Sequence, residues 1–370
     1  MSDATAHVEL LRGLVAAPSV HPHEGAAVAY LCDAMTQRGF RTHIDAAGNA
    51  IGEIGDGPLH VVMLGHIDTV PGEVPVRIEG DDLYGRGSAD AKGPLATFVA
   101  ATADAAATGK LRGVRVTVIG ATGEEAHSPG ANYLAQTMPA PDACIIGEPG
   151  GWESIVLGYK GSMQLRYTLS QPNTHGAGQQ APAPQIAVGV WNRILDWSRE
   201  WNTDKAREFD RVTPTLREFA SANDGLTQTA MLVMNVRVPP ALTPDEMWYD
   251  LLTNVGGVVE DQNWGYLHSN MQSVLEILEQ PVPPYRCDKN TSLVRALLAG
   301  VRSVGGTPKF KTKTGTADMN VVGPVWQCPM AAYGPGDSAL DHTPHEHISI
   351  AEYLQAVTAL TATLGMLGGN

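Results

Sequence analysis

The stretch HVVMLG at residues 60–65, followed at once by His66-Ile67-Asp68, decides the fold. A short apolar run that ends on glycine is typical of a buried strand in a parallel sheet and is too brief for a helix. Three further runs have the same character: VRVTVIG at 114–120, ACIIG at 143–147 and MAAYG at 330–334. A helical pattern, GPLATFVAATADAAA at 93–107, separates the first two. Buried strands that alternate with helices predict an α/β domain with both sheet faces covered.

The middle of the chain follows a different pattern, which starts near Tyr159. Its segments are a strand at 161–170, a polar loop, a helix at Gln185–Trp201, a long loop, a strand at 228–238, a helix at Thr243–Leu252 and an alternating stretch near Ser273–Leu278. This β-α-β-α-β order predicts a small α+β sheet with helices on one face. We therefore expect a large domain at 1–159 and 284–370, with an inserted lid at 160–283.

Composition excludes several classes of function. The 370 residues include 39 acidic and 25 basic ones, a net charge of −14 that works against nucleic acid or anionic membranes as partners. No uninterrupted apolar run approaches the ~20 residues of a membrane-spanning helix. Asp3 and Glu9 stand where a signal peptide would have a basic and then an apolar stretch. We expect a cytoplasmic protein.

Histidine and carboxylate residues follow every predicted strand of the large domain. They are His66 and Asp68, Glu124 and Glu125, Glu148, and Asp341 and His342, with Asp90 in the glycine-rich loop 85–93. In open α/β sheets the carboxyl ends of the strands form the active site. Clustered carboxylates need a cation between them. Histidine with carboxylates suits zinc, cobalt or manganese, and this many ligands suits a two-metal hydrolytic site.

Each motif also has a plainer explanation when it is taken alone. His66 and Asp68 fit a strand-end cap, loop 85–93 fits a turn or a phosphate cradle, and Glu124-Glu125 fits two solvated side chains. In the metal interpretation, His66 and Asp68 project to one face of an extended chain, so Asp68 can orient His66. Adjacent Glu124 and Glu125 diverge, so one can bind metal while the other serves as a general base.

The motifs together resemble those of the M20 metallopeptidase family. They are GHIDTVP (65–71), GRGSADAKG (85–93), GEE (123–125), GEP (147–149) and HTPHE (342–346), in the family's order and rough spacing. The resemblance covers nearly the whole chain. It implies a zinc-aminopeptidase-like, doubly wound mixed sheet and an inserted ferredoxin-like lid that typically mediates dimerisation. It also implies a homodimer and two divalent metal ions, zinc or else cobalt.

The resemblance further implies a role for each matching residue. His66 and Glu148 would bind one ion, Glu125 and His342 the other, and Asp90 both. Glu124 resembles the general base, and Asp68 the residue that polarises His66. His342 is preferred to His345 because Glu346 stands four residues after it, as in the family. The Asp90–Ala91 peptide is commonly cis in such enzymes.

The lid and the loop after residue 313 supply candidate substrate contacts. His175 aligns with the family histidine that stabilises the oxyanion, in cis or in trans, although Gly176 follows it where serine or alanine is usual. Asn235 and Arg237 resemble substrate-contacting lid positions, and Thr314, Gly315 and Thr316 resemble a loop that holds a substrate carboxylate. A loop histidine is otherwise solvated, and a strand arginine is otherwise an exposed charge.

Within the family, three stretches most resemble one branch. They are 65–96, TGTADMN (314–320) and YGPGDSALDHTPHEH (333–347). That branch releases lysine or ornithine from the terminal glutamate γ-carboxyl of the acidic amino-group carrier protein LysW, in lysine and arginine biosynthesis. Lys309, Lys311 and Lys313 alternate and would present one basic strand face to such a carrier. Lysines that protect an edge strand are the alternative.

Two other functions remain open from the sequence. One is a small-molecule deacylase, of the acetylornithine or succinyl-diaminopimelate type, or a dipeptidase. The other is a non-catalytic metal-binding module. Glu124 favours catalysis, since a structural metal site has no use for a base that is not a ligand.

Overall fold

The structure is a computed structural model that describes residues 3–173, 175, 177–178, 180–260 and 271–369, the side chains of residues 3 and 254–260 excepted. The chain divides into two compact units. The large unit comprises Met1–Gly158, Arg286–Thr312 and Ala317–Asn370, and the inserted unit comprises Tyr159–Tyr285 with Lys313–Thr316. The sequence placed this last segment in the large domain. It groups with the inserted unit, where the Lys160 backbone N–H donates to the Lys313 carbonyl.

The elements follow in chain order. The helices are α1 Asp3–Ala16, α2 Gly25–Thr36, α3 Lys92–Ala107, α4 Pro129–Thr137, α5 Ala183–Trp201, α6 Pro244–Glu260, α7 Ser292–Ser303, α8 Asp318–Trp326 and α9 Ile350–Leu367. The strands are β1 Arg41–Ile44, β2 Ala50–Gly55, β3 Leu59–His66, β4 Arg77–Glu79, β5 Asp82–Tyr84, β6 Val114–Ala121, β7 Ala143–Gly147, β8 Ser154–Tyr159, β9 Gly161–Pro172, β10 Thr213–Asn223, β11 Thr227–Val238, β12 Gln272–Ile277, β13 Tyr285–Arg286, β14 Lys309–Lys313, β15 Met330–Ala332 and β16 His347–Ser349.

The main sheet is mixed, which confirms the predicted α/β fold. Its strand order is β1-β2-β6-β3-β7-β15-β8-β13, and β14 pairs with β8. Strand β3 runs parallel to β6 and β7, whereas β2 is antiparallel to β6. In this register Gly65 lies opposite both Gly120 and Gly147. The carboxyl ends of β3, β6 and β7 are therefore level, and the residues that follow these strands lie at the same edge of the sheet.

Helix α9 belongs to the hydrophobic core of the large unit. Its length and composition alone would allow it to cross a membrane, but half of it is buried. Tyr353, Leu360 and Leu364 are fully buried and share one core cluster with Leu95 and Phe98 of α3. Core helices meet the same criteria of length and composition, so these contacts identify α9 as a core helix.

The inserted unit contains one strand more than the sequence predicted. Its antiparallel sheet has the order β10-β11-β9-β12. Strand β10 lies within the predicted long loop. Most of its residues are exposed, so it lacks the apolar alternation by which strands are recognised. With β10 the element order becomes β-α-β-β-α-β, which is that of the ferredoxin-like fold. Alternate β11 residues, such as Leu232, Met234 and Val236, are buried in this unit's core.

A close contact at Gly147 provides a test of the packing between strands and helix. A Cβ added at Gly147 would lie 2.8 Å from Phe98 Cε2 and 3.1 Å from Gly65 Cα. We expect Gly147→Ala to lower the free energy of unfolding by about 1–3 kcal/mol, because the core must shift to accept the methyl group. Urea unfolding followed by circular dichroism measures the change.

Gly25→Ala is the matched control, since no atom lies within 4 Å of a Cβ at Gly25 in α2. This variant should be neutral or slightly stabilising. Equal unfolding midpoints for the two variants would contradict the described packing of β7 against α3.

Candidate metal centre

Five connections of the large unit bring polar residues to the edge of the sheet where the central strands end level. His66 ends β3 and Asp68 follows it, Glu124 and Glu125 follow β6, and Glu148 follows β7. Asp90 lies in the loop between β5 and α3, and His342 lies in the loop between β15 and β16. Because β6, β3 and β7 are adjacent and parallel, side chains that are far apart in sequence become neighbours.

Asp68 holds the residues at this edge of the sheet in place. Its side chain is fully buried, and its carboxylate accepts the backbone N–H groups of Glu124 at 3.0 Å and Glu125 at 2.9 Å. Burial alone would raise the pKa of Asp68, but contact with His66 and these two N–H groups holds it below its ordinary value. The carboxylate therefore stays ionised and fixes the Glu124-Glu125 loop.

Asp68 orients His66 partly through its backbone. His66 Nδ1 lies 3.1 Å from the Asp68 carbonyl oxygen and 3.6 Å from the carboxylate Oδ1. A carbonyl only accepts, so this contact assigns the ring proton to Nδ1 and leaves the Nε2 lone pair toward the centre. From the sequence we expect Asp68 to orient His66 through its side chain; in the structure the Asp68 backbone carbonyl makes the shorter contact.

Asp90 lies between the two histidines. Its Oδ1 is 3.2 Å from His66 Nε2, and its Oδ2 is 3.2 Å from His342 Nε2. The same His342 nitrogen lies 2.8 Å from Glu125 Oε1. The Asp90–Ala91 peptide is cis, as expected from the resemblance. One carboxylate thus joins two groups of potential ligands.

Three groups of side chains could each hold a metal ion, with their ligand atoms within 4.8 Å of one another. They are His66, Asp90 and Glu148; Asp90, Glu125 and His342; and His66, Glu124 and Glu125. The first two share Asp90 and contain the residues that the resemblance assigned to two ions. The third contains Glu124, so proximity alone does not separate a base from a ligand.

The pKa shifts of the carboxylates and imidazoles suit a site that binds cations. Burial raises the pKa of Glu124 and Glu148 well above the ordinary value, and neighbouring carboxylates add to this. Hydrogen bonds that His342 donates to Asp90 and Glu125 raise its pKa to about 10. For His66, burial lowers the pKa, but Asp68 and Asp90 raise it well above normal. Carboxylates that resist ionisation beside imidazoles that favour protonation fit a centre built for divalent cations.

The loop that carries Asp90 is held by Glu346. This carboxylate, 1% exposed, accepts Arg86 Nη1–H at 2.7 Å and the backbone N–H groups of Ala89 and Asp90 at 3.2 Å each. In the sequence, Glu346 serves only to identify His342, which stands four residues before it, as the family histidine. Its structural role depends on a partner that is distant in sequence.

Asp318 is a further buried carboxylate of the same region, which the sequence marked only as the last residue of the segment 314–318 that resembles a carboxylate-holding loop. It begins α8 and is 2% exposed. Burial raises its pKa to about 6, while the His66 charge acts in the opposite direction. Its position at the start of a helix is also one that an exposed helix-capping aspartate takes, so the sequence does not indicate its burial.

The predicted substrate-contacting residues lie in the inserted unit. Asn235 and Arg237 occupy β11, and Asn235 Nδ2 donates to Ser162 Oγ at 2.8 Å. His175 is exposed, and its Nδ1 accepts the Ala177 N–H at 3.2 Å. Thr314, Gly315 and Thr316 follow β14 and also group with this unit. Asn235 is buried, and the other five are exposed or half-buried.

Lys309, Lys311 and Lys313 lie on one strand, β14, as predicted. However, Lys309 and Lys311 contact other groups of the protein. Lys309 Nζ lies 3.9 Å from Glu153, and its side chain is 65% exposed. Lys311 Nζ donates to the Gly150 carbonyl at 2.7 Å, two residues after Glu148. Lys313 is half-buried and groups with the inserted unit.

Comparison with known proteins gives consistent results. Residues 62–365 match Peptidase_M20, described as Peptidase family M20/M25/M40. The LysW-lysine hydrolase of Deinococcus radiodurans is 43% identical over 373 aligned positions, which cover 100% of this chain and 99% of that protein. A putative LysW-lysine/LysW-ornithine hydrolase of Thermococcus kodakarensis is 37% identical, with coverages of 98% and 92%.

The fold has a clear counterpart among solved structures. The Bacillus subtilis YXEP protein, described as a dinuclear metal binding peptidase from the M20 family, superposes with a TM-score of 0.74 at 11% identity. The match covers 99% of this chain and 98% of that one. Since the family match spans most of the sequence and a relative 43% identical aligns from end to end, the chain belongs to the M20/M25/M40 peptidase family.

Proposed function

We propose that the protein is a two-metal amidohydrolase that releases lysine, or ornithine, from the γ-carboxyl of the terminal glutamate of the carrier protein LysW. The full-length identity of 43% to a LysW-lysine hydrolase supports this substrate. The chemistry is supported by one observation at the centre: Glu125 contacts His342 at 2.8 Å, while the adjacent Glu124 makes no side-chain hydrogen bond among the described residues.

In this proposal His66 and Glu148 hold one ion, Glu125 and His342 hold the other, and Asp90 contributes to both. The donors are imidazole and carboxylate without thiolate, which suits zinc and also cobalt. When bound, two such ions polarise the amide carbonyl and make water more acidic. Asp68 and Glu346 position the loops that carry these ligands.

Glu124 then moves the proton. It takes a proton from the attacking water and returns it to the nitrogen of the leaving amine. Burial, which raises the pKa of Glu124, suits a carboxyl group that must hold a proton between the two steps. The backbone N–H bond to Asp68 keeps the base in place.

The inserted unit supplies the remaining parts of the proposal. His175 stabilises the oxyanion, from the same subunit or from the partner in a homodimer. Asn235 and Arg237 contact the substrate, and Thr314, Gly315 and Thr316 hold its carboxylate. We place the enzyme in the cytoplasm, in the synthesis of lysine and arginine.

The acidic carrier would meet the exposed face of β14. Lys309 is the lysine best placed for this, since its side chain is largely exposed. Lys311 already bonds the loop after Glu148, so substituting it would disturb the centre as well as the surface.

The first experiment tests the function and the base together. The zinc- or cobalt-loaded protein is assayed with carrier-linked lysine and with N-acetylornithine, side by side. We expect turnover of the carrier-linked lysine, and we expect Glu124→Gln to lower kcat by about 100-fold or more, because general acid–base catalysis contributes this much. Turnover of N-acetylornithine alone would replace the carrier with a small N-acyl substrate.

Glu125→Gln is the matched control for Glu124→Gln, since it makes the same change one residue away. Metal content by mass spectrometry should remain at two ions per chain in Glu124→Gln and fall in Glu125→Gln. The reverse result would make Glu124 the ligand and Glu125 the base.

A second experiment tests the docking surface. We expect Lys309→Glu to raise KM for carrier-linked lysine by roughly threefold or more, because a like charge would then face the acidic carrier. The effect should shrink as salt is added.

Arg112→Glu controls for the change in net charge. Arg112 is exposed in the turn before β6, at the opposite end of that strand from the metal centre. Equal effects of the two variants, or an equal effect of Lys309→Glu on a small N-acyl substrate, would remove β14 from carrier docking.

A further inference from the structure

A loop near the amino terminus runs beside the metal centre. The Thr69 N–H, three residues after His66, donates to the Ser19 carbonyl at 3.1 Å, and Val20 forms a β-bridge with Thr69. These contacts hold the segment between α1 and α2 against the end of β3. Two further residues of this segment, His21 and Glu24, have no role in the function proposed above.

His21 and Glu24 form a tight pair. His21 Nδ1 lies 2.6 Å from Glu24 Oε1, and the glutamate side chain is 6% exposed while the imidazole is 34% exposed. An ionised carboxylate only accepts, so this contact assigns a proton to Nδ1. A buried acid thus fixes the orientation of a partly exposed ring. Nε2 of His21 has no hydrogen-bond partner among the described residues, and solvent or a ligand can reach the ring.

The ring lies against the loop of the proposed base. A Cβ added at Gly123 would be 3.0 Å from His21 Nδ1, and Gly123 directly precedes Glu124. Gly123 also has a φ of 74°, in the left-handed region. Both its backbone conformation and the space it leaves therefore favour glycine. Pro129, whose ring carbons would lie 2.6 Å from such a Cβ, and the His21 ring together occupy the space that a larger residue would take.

The cations in the Asp90 loop already have partners. Arg86 donates to the buried Glu346 at 2.7 Å, and Lys92 Nζ donates to the Ala17 carbonyl at 2.7 Å. A substrate anion next to the carboxylates of this centre needs a donor that is not committed in this way. With Nδ1 engaged by Glu24, the doubly protonated ring has one further N–H, on Nε2, with which to donate to an anion.

We propose that His21, oriented by Glu24, binds the free α-carboxylate of the acyl half of the substrate. The inference rests on the proposed function, because linkage through the γ-carboxyl leaves the α-carboxylate of the terminal glutamate unmodified. Three carbon atoms (Cα, Cβ and Cγ) lie between that carboxylate and the amide carbonyl under attack. A donor on the loop next to Glu124 is therefore suitably placed to bind the carboxylate while the amide is hydrolysed. His21 is in this sense a specificity residue for γ-glutamyl substrates.

The test compares two carriers that differ only in this carboxylate. Both are made by semisynthesis, one ending in γ-linked glutamate and the other in 4-aminobutyrate, and each is joined to lysine. We expect the wild-type enzyme to prefer the glutamate carrier in kcat/KM by about 10-fold or more, the size of a charge-assisted hydrogen bond. His21→Gln should reduce this preference to about twofold.

His23→Gln is the matched control, because His23 is an exposed histidine of the same loop and should keep the full preference. Glu24→Gln should weaken the preference, since the ring loses its charged anchor. A full preference in His21→Gln, or no preference in the wild type, overturns the carboxylate site and leaves the proposed function standing. No turnover of either carrier by the wild type overturns both.

Discussion

The centre depends on one buried carboxylate, that of Asp68. It reaches from the end of β3 to the loop after β6, and its two oxygens accept the N–H groups of Glu124 and Glu125. A buried carboxylate left without these bonds would cost several kcal/mol. The bonds therefore fix two neighbouring strands and their functional side chains in one arrangement. The position of His66, whose ring proton bonds the Asp68 carbonyl, follows from the same residue.

The parts of the molecule that the sequence predicted share a physical cause. Central parallel strands are covered on both faces, so their sequences are short and apolar, and β3, β6 and β7 were each recognised in this way. Functional residues at the carboxyl ends of such strands converge whatever the rest of the chain does. This convergence predicted one cluster of histidine and carboxylate residues, and the resemblance to the M20 family then singled out His66, Asp90, Glu125, Glu148 and His342 as its metal ligands.

The parts that were missed lack a local signal. Strand β10 is exposed over most of its length, so no apolar alternation marks it. Arg86 and Glu346 form their ion pair across most of the large unit's sequence. Asp318 begins α8, and sequence alone does not distinguish a buried carboxylate there from a helix-capping one. The lysines of β14 were placed on a strand correctly, but their partners, Glu153 and the Gly150 carbonyl, depend on tertiary contacts.

The positions of the ligands along the chain determine the order in which the metal centre can form during translation. During translation the chain emerges from its amino terminus, and domains tend to fold as they emerge. His66, Asp90 and Glu148 all precede the inserted unit, so one proposed ligand group is complete before that unit is made. His342 and Glu346 follow it, so the second group, and the carboxylate that holds the Asp90 loop, are made after the inserted unit. The two halves of the centre are thus separated in time on the ribosome, and the site can assemble only once the inserted unit has been synthesised.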